Sequence, residues 1–348
     1  FHTTISSRVM ELNLTEKWSI LVCMFEPKEI IFALTGKCNL QCSHCTVGRS
    51  ENSFNAEQAQ QLILQCRDNG IERIGFSGGE PFLEKELLVK LIKEARNQDL
   101  LFDRIMTNGV WFIDEVDLKQ TLDMVYDAGF DGTIGLSYDG YHQQPVDKVS
   151  MFIKAVHEIS GSRESVELVC VYESDYLENA ELFAHLAAAL GCEYETDSLG
   201  IPYRLTDRQR KAQEDSGALD GSGLMIPITH IGLSRTAEAM AWKDTEWFTD
   251  DFCEGPGQVL YVHPDGSIAA CCGFANENSQ LNIGSIGMEL ARLLENAKTK
   301  PYIRWCYEKG LGNLRQKLEL EGHKFPGKTR DMCGFCNFGC RKKLEELV

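Results

Sequence analysis

Along the 348-residue chain, short runs rich in β-branched and aromatic side chains alternate with stretches whose apolar residues fall three and four apart. The runs are Glu29 to Thr35, Ile71 to Ser77, Phe102 to Thr107, Thr133 to Ser137, Val166 to Tyr172 and Pro227 to Leu233. Helical spacing marks Asn55 to Asp68, stopped by Gly70, and then Glu84 to Asn97 and Leu177 to Leu190. Repeated strand-then-helix units form parallel sheets, so the pattern predicts an α/β fold, a partial barrel of six β/α units. The polar, glycine-bearing stretch from Tyr203 to Gly223 predicts an insertion or mobile loop. After Asp251 the alternation stops while cysteines and turn residues multiply. The expected organisation is an N-terminal extension at 1–28, a barrel at 29–251 and a smaller cysteine-rich domain at 252–348.

Composition narrows the function classes. A formal charge of −17 argues against a nucleic-acid partner, because phosphate contacts need clustered Lys and Arg. No apolar run is long enough to span a membrane, and the run Ile20 to Phe25 lacks the basic flank of a signal peptide. Fourteen cysteines in a chain of this size and charge read as metal or redox chemistry in a reducing cytoplasm rather than as a secreted disulfide scaffold.

Those cysteines are patterned. Cys38, Cys42 and Cys45 follow the first expected strand as CxxxCxxC, on a loop at the carboxyl end where barrel active sites lie. Three soft thiolates suit a 4Fe-4S cluster with one iron left open; a zinc loop is the plainer alternative. The second strand ends in Gly78-Gly79-Glu80-Pro81, where the glycines allow close backbone approach and the carboxylate suits an ammonium group. Taken alone, that stretch is an ordinary turn.

In the tail, Cys253 precedes Gly266 and Cys271, and Cys333, Cys336 and Cys340 form CxxCxxxC. These thiols suit a second iron–sulfur cluster or a structural zinc ion. Cys272 adjoins an expected ligand yet is surplus to a four-thiolate site. It reads as a hydrogen-atom donor or as a small buried hydrophobe. Cys23, Cys66, Cys170, Cys192 and Cys306 stand singly and read as core packing.

The cysteine loop and the glycine motif together resemble the radical S-adenosylmethionine (SAM) superfamily. That resemblance implies a first cluster on Cys38, Cys42 and Cys45. It implies SAM contacts from His44, Gly78, Gly79, Glu80, Asn108, Ser137, Asp139 and Arg235. For His44 a solvent-facing loop position, for Asp139 a structural turn and for Arg235 a surface ion pair are the plainer alternatives. The tail is similar to the twitch and SPASM auxiliary-cluster domains, which implies an auxiliary 4Fe-4S cluster on Cys253, Cys271, Cys333 and Cys336, with Cys340 as a substitute ligand.

The stretches Ser137 to His142, Cys253 to Cys272 and Cys333 to Cys336 resemble radical SAM epimerases of ribosomal peptides. The resemblance implies that a 5′-deoxyadenosyl radical removes a Cα hydrogen from a precursor peptide and that Cys272 returns hydrogen from the opposite face. A low-potential donor such as flavodoxin or ferredoxin would supply electrons. Thioether or carbon crosslinking, dehydrogenation of a small alcohol and a non-catalytic metal-stabilised scaffold are the other functions considered.

Overall fold

The computed structural model describes residues 25–45, 47, 50–173, 175–208, 211, 223–232, 242–249 and 258–341, without the side chains of 274–275. Six strands arise near their expected places: β1 (Glu29–Ala33), β2 (Arg73–Ser77), β3 (Leu101–Thr107), β4 (Thr133–Ser137), β5 (Val166–Tyr172) and, later in the chain, Met225–Gly232. Between and after them lie α1 (Ala56–Leu64), α2 (Lys85–Asn97), α3 (Glu115–Asp127), α4 (Val146–Ser160) and α5 (Ala180–Leu190). Side-chain caps set two of the helix starts. Asn55 accepts from the Gln58 amide ahead of α1, and Asp114 accepts from the Asp117 amide ahead of α3.

The helical spacing did not single out α3 and α4, although each buries a stripe: Leu118, Leu122 and Val125 on one, Val149, Phe152, Ile153 and Val156 on the other. Acidic and lysine residues fill their other faces and dilute the apolar signal.

After α5 the chain makes a hairpin of β6 (Cys192–Thr196) and β7 (Pro202–Asp207), then returns along β8 (Met225–Gly232). This corrects the expected loop from Tyr203. Its first residues are a strand, antiparallel to both neighbours, with Leu205 and Thr206 buried. The polar composition that suggested a loop belongs to a strand near the sheet edge, with solvent on one face.

Beyond residue 258, β9 (Val259–Val262) pairs parallel with β1, on the side away from β2, and carries β10 (Ser267–Ala269) and β11 (Asn282–Ser285) as antiparallel additions. One eleven-stranded sheet results, ordered β11-β10-β9-β1-β2-β3-β4-β5-β8-β7-β6. The sheet is open, a partial barrel rather than a closed one. Four helices follow: α6 (Leu290–Thr299), α7 (Pro301–Glu308), α8 (Gly310–Leu320) and α9 (Met332–Arg341).

Strand periodicity decides what each face meets. Ile30 and Phe32 of β1 are fully buried and join one apolar cluster with Leu62, Ile63, Leu88, Leu91, Leu118 and Phe152 of the helices. Burying each such side chain contributes roughly 1.5–3 kcal/mol. The alternate residues, Ile31 and Ala33, line a cavity instead. No helix among the described residues is long and apolar enough to cross a membrane.

Candidate functional site

The cysteine loop leaves β1 and is gripped by the end of β2. The Gly79 amide donates to the Thr35 carbonyl and the Glu80 amide to the Lys37 carbonyl, both at 2.7 Å. A Cβ at Gly79 would sit 2.0 Å from the Lys37 oxygen, and Gly78 holds φ at +135° with the Thr35 carbonyl close behind it. Only glycines permit this approach. Part of their role is therefore to seat the cysteine loop.

Asn108, at the end of β3, completes the clamp. Its Nδ2 donates to Asn39 Oδ1 at 2.8 Å and lies 3.7 Å from Cys38 Sγ, while the Leu40 amide lies 3.4 Å from the same sulfur. Cys38, Cys42 and Cys45 then line a cavity of about 190 Å³ together with His44, Gly78, Gly79, Asn108, Ser137 and His142. Burial, and then the neighbouring thiols Cys38 and Cys45, push the Cys42 thiol up to about 11. Neighbouring thiolates repel one another, a cost that a bound cation removes.

Glu80 follows the two glycines at the end of β2. It is fully buried beneath the cavity, where it accepts from Thr107 Oγ1 and the Asn108 amide at 2.8 Å and from the Phe82 amide at 3.3 Å. Burial pushes it up to about 7, against the pull of those hydrogen bonds. It anchors the β2–β3 junction.

Asp139 is also buried. Burial pushes its carboxyl up, but the His142 hydrogen bond and charge and the Val171 amide outweigh this and hold it below the usual range. Asp139 Oδ1 lies 2.7 Å from His142 Nδ1. His142 packs 4.8 Å from the His44 ring, so this Asp–His pair sets two imidazoles on the cavity wall. His142 lay inside the Ser137 to His142 stretch, yet was not singled out; its spacing of three from a buried aspartate was the signal. Arg235 and Cys253 lie outside the described residues.

The tail brings its thiols together by packing. Cys333, Cys336 and Cys340 share one face of α9 at i, i+3 and i+7, and Cys271 follows β10. A Cβ at Gly273 would lie 3.1 Å from Cys333 Sγ and 3.6 Å from Cys271 Sγ. Cys306 on α7, expected only to pack, hydrogen-bonds to Cys336. Hydrogen bonds from Cys306 and then Cys340 hold the Cys336 thiol well below its ordinary value. The buried Tyr302 phenol donates to the Cys336 carbonyl at 2.9 Å and reaches its sulfur at 3.4 Å.

Cys271 is buried, whereas Cys272 is exposed, which rules out the buried-hydrophobe reading. Cys272 lines a larger cavity of about 640 Å³ with Ile31, Ala33, Tyr261 and Asn282. Ser77 and Met106 belong to the walls of both cavities, so the two adjoin.

Residues 30–141 match the family described as a 4Fe-4S single cluster domain. YydG of Bacillus subtilis (strain 168), whose name assigns it provisionally to peptide biosynthesis, is 21% identical over 322 residues, covering 89% of this chain and 91% of its own. The PqqA peptide cyclase of Bradyrhizobium diazoefficiens is 26% identical over 133 residues, 37% of this chain and 33% of the cyclase. In structure, Streptococcus suis SuiB bound to its precursor peptide SuiA aligns with a TM-score of 0.51 at 16% identity, covering 91% of this chain and 77% of SuiB. The 4Fe-4S family match spans the cysteine loop and the glycine motif, in keeping with the radical SAM resemblance of those motifs.

Radical SAM proteins use a 4Fe-4S cluster and SAM, and the small cavity can be tested for fit. Zinc held tetrahedrally by sulfurs at about 2.3 Å needs those sulfurs about 3.8 Å apart. Among the described residues, the one trio of metal-binding side chains found within 4.8 Å of one another is His44, Asp139 and His142. The three loop thiols do not all lie within that distance of one another, and they face the glycine-lined wall. The residues fit the radical SAM cofactors.

Proposed function

We propose that this radical SAM enzyme acts on a ribosomally made precursor peptide and converts one residue from L to D. The observation that carries the reading is the Cys272 thiol, exposed on a 640 Å³ cavity that shares Ser77 and Met106 with the cysteine-lined one. The YydG likeness, which runs over most of both chains, supports a peptide as substrate.

In this reading Cys38, Cys42 and Cys45 hold the first cluster, while Gly78, Gly79, Asn108, Ser137 and the two imidazoles shape the SAM pocket. Bound together, cluster and SAM would supply the hydrogen-abstracting radical chemistry. The chain's own residues decide the fate of the peptide radical. In this reading the peptide Cα meets that pocket beside Ser77 and Met106, which line both cavities, and Cys272 stands on the cavity wall to return hydrogen. Return from a second site inverts the centre; return from the first would restore it. Cys271, Cys333 and Cys336 form the core of the auxiliary site, with Cys253 and Cys340 as candidates for its fourth thiolate. Cys306 and Tyr302 stand behind it.

The test is anaerobic reaction of the reconstituted, reduced protein with SAM and synthetic peptides tiling the short open reading frames beside its gene. A D-residue at unchanged mass is the expected product. A product lighter by two hydrogens would replace epimerisation with crosslinking.

A further inference from the structure

Returning a hydrogen atom leaves Cys272 one hydrogen short, and the walls of the large cavity contain a side chain suited to restore it. Tyr261 lies on β9, in register with Ile31 of β1, so its ring projects from the same sheet face that lines the cavity. Its phenol hydrogen-bonds to Ser77, one of the two residues common to both cavities. It also feels the charges of Cys272 and Cys45. The phenol therefore stands at the junction of the cysteine loop, the substrate cavity and the exposed thiol. The His263 ring packs against it at 5.0 Å.

Resting on the epimerase reading, we propose that Tyr261 is the relay residue that re-arms Cys272. The Cys272 thiyl takes the hydrogen atom of the Tyr261 O–H: an S–H bond forms, an O–H bond breaks and a tyrosyl radical remains. That radical gains one electron from the low-potential one-electron donor the enzyme needs in any case, and one proton from water, which restores the phenol. Phenolic O–H and thiol S–H bonds are similar in strength, so the exchange is close to balanced in energy. The phenol remains protonated between turnovers, because burial pushes it up to about 12.

Tyr261→Phe keeps the ring and removes only the transferable hydrogen. The experiment uses the holoenzyme, limiting dithionite and whichever tiled peptide the wild type epimerises. The variant should form product at the wild-type rate in the first turnover and stop near about one equivalent per enzyme, while the wild type continues at least about tenfold further. Freeze-quenched wild type should show a tyrosyl signal by electron paramagnetic resonance that narrows with ring-deuterated tyrosine and is missing from the variant.

Total product within about twofold of wild type would overturn the relay. So would loss of the first turnover with SAM cleavage intact, since that marks Tyr261 as a substrate-holding group. The parent reading fails separately: if no tiled peptide is epimerised, or if Cys272→Ala still epimerises, the epimerase falls whatever Tyr261 does.

Discussion

Cys38, Cys42 and Cys45 come from one short loop and are half-buried or exposed, whereas Cys271, Cys306, Cys336 and Cys340 are buried and gathered from a strand end and two helices. The first set is a site laid over a finished sheet. The second is part of the apolar core, since Cys271, Cys306, Cys336 and Cys340 belong to the same cluster as Ile30 and Phe335. Binding in the barrel loop should therefore be separable from folding, while the tail couples the two.

The largest effect expected from this contrast is on chemistry. Cys42→Ala should lower reductive SAM cleavage by roughly 10³-fold or more, because the bound pair carries the whole reaction. Thermal unfolding of the metal-free protein should barely change. Cys336→Ala should do the reverse to the metal-free fold, costing roughly 1–3 kcal/mol as its buried partners lose their acceptor. Calorimetry of both apo variants beside a 5′-deoxyadenosine assay decides whether the two regions differ in this way.

Next in size is Gly79→Ala. Its Cβ would meet the Lys37 carbonyl at 2.0 Å, and forcing the loop away should cost about 1–3 kcal/mol. Iron bound after reconstitution should fall with it, as measured by iron analysis.

Glu80 sharpens the comparison through pH. Its carboxyl rises from 4.5 to about 7 in the folded chain, so the folded state binds its proton more tightly than the unfolded state does. That contribution is fully present below about pH 4.5 and is lost as pH climbs toward 7, by at most about 1.4 kcal/mol per unit. Glu29, also raised to about 7 by burial and then by Asp103, adds to the same window. Apo Glu80→Gln should thus lose less stability than wild type between pH 5 and 7 in denaturant titrations. Equal losses would show that Glu80 is not buried as described.

The smallest effect is electronic. Tyr302→Phe removes the phenol's hydrogen bonds to Cys336 and should lower the potential of the proposed auxiliary cluster by about 40 mV, for a bond worth about 1 kcal/mol. An unmoved potential would place the cluster away from Cys336.

The same contrast explains what could be read from sequence. The loop thiols and the Gly78-Gly79 stretch were legible because their spacing is local, and the strands β1 to β5 and β8 because each is a short run rich in β-branched residues. Cys306 was not legible, since only the packing of α7 against α9 brings its sulfur to Cys336. Glu80 was visible as a carboxylate, but its burial depends on Thr107 and Asn108, residues from the next strand. The strand Pro202–Asp207 was hidden because a strand near the sheet edge can be as polar as a loop.

The most direct test of the central claim is epimerisation in deuterated water, comparing wild type with Cys272→Ala. The wild type should place one solvent-derived deuterium at the Cα of a new D-residue, because the thiol exchanges with water before donating. The variant should cleave SAM and leave the peptide without a D-residue. A deuterated D-residue from the variant at the wild-type yield would contradict Cys272 as the donor and would remove the reason for linking the two cavities in one reaction.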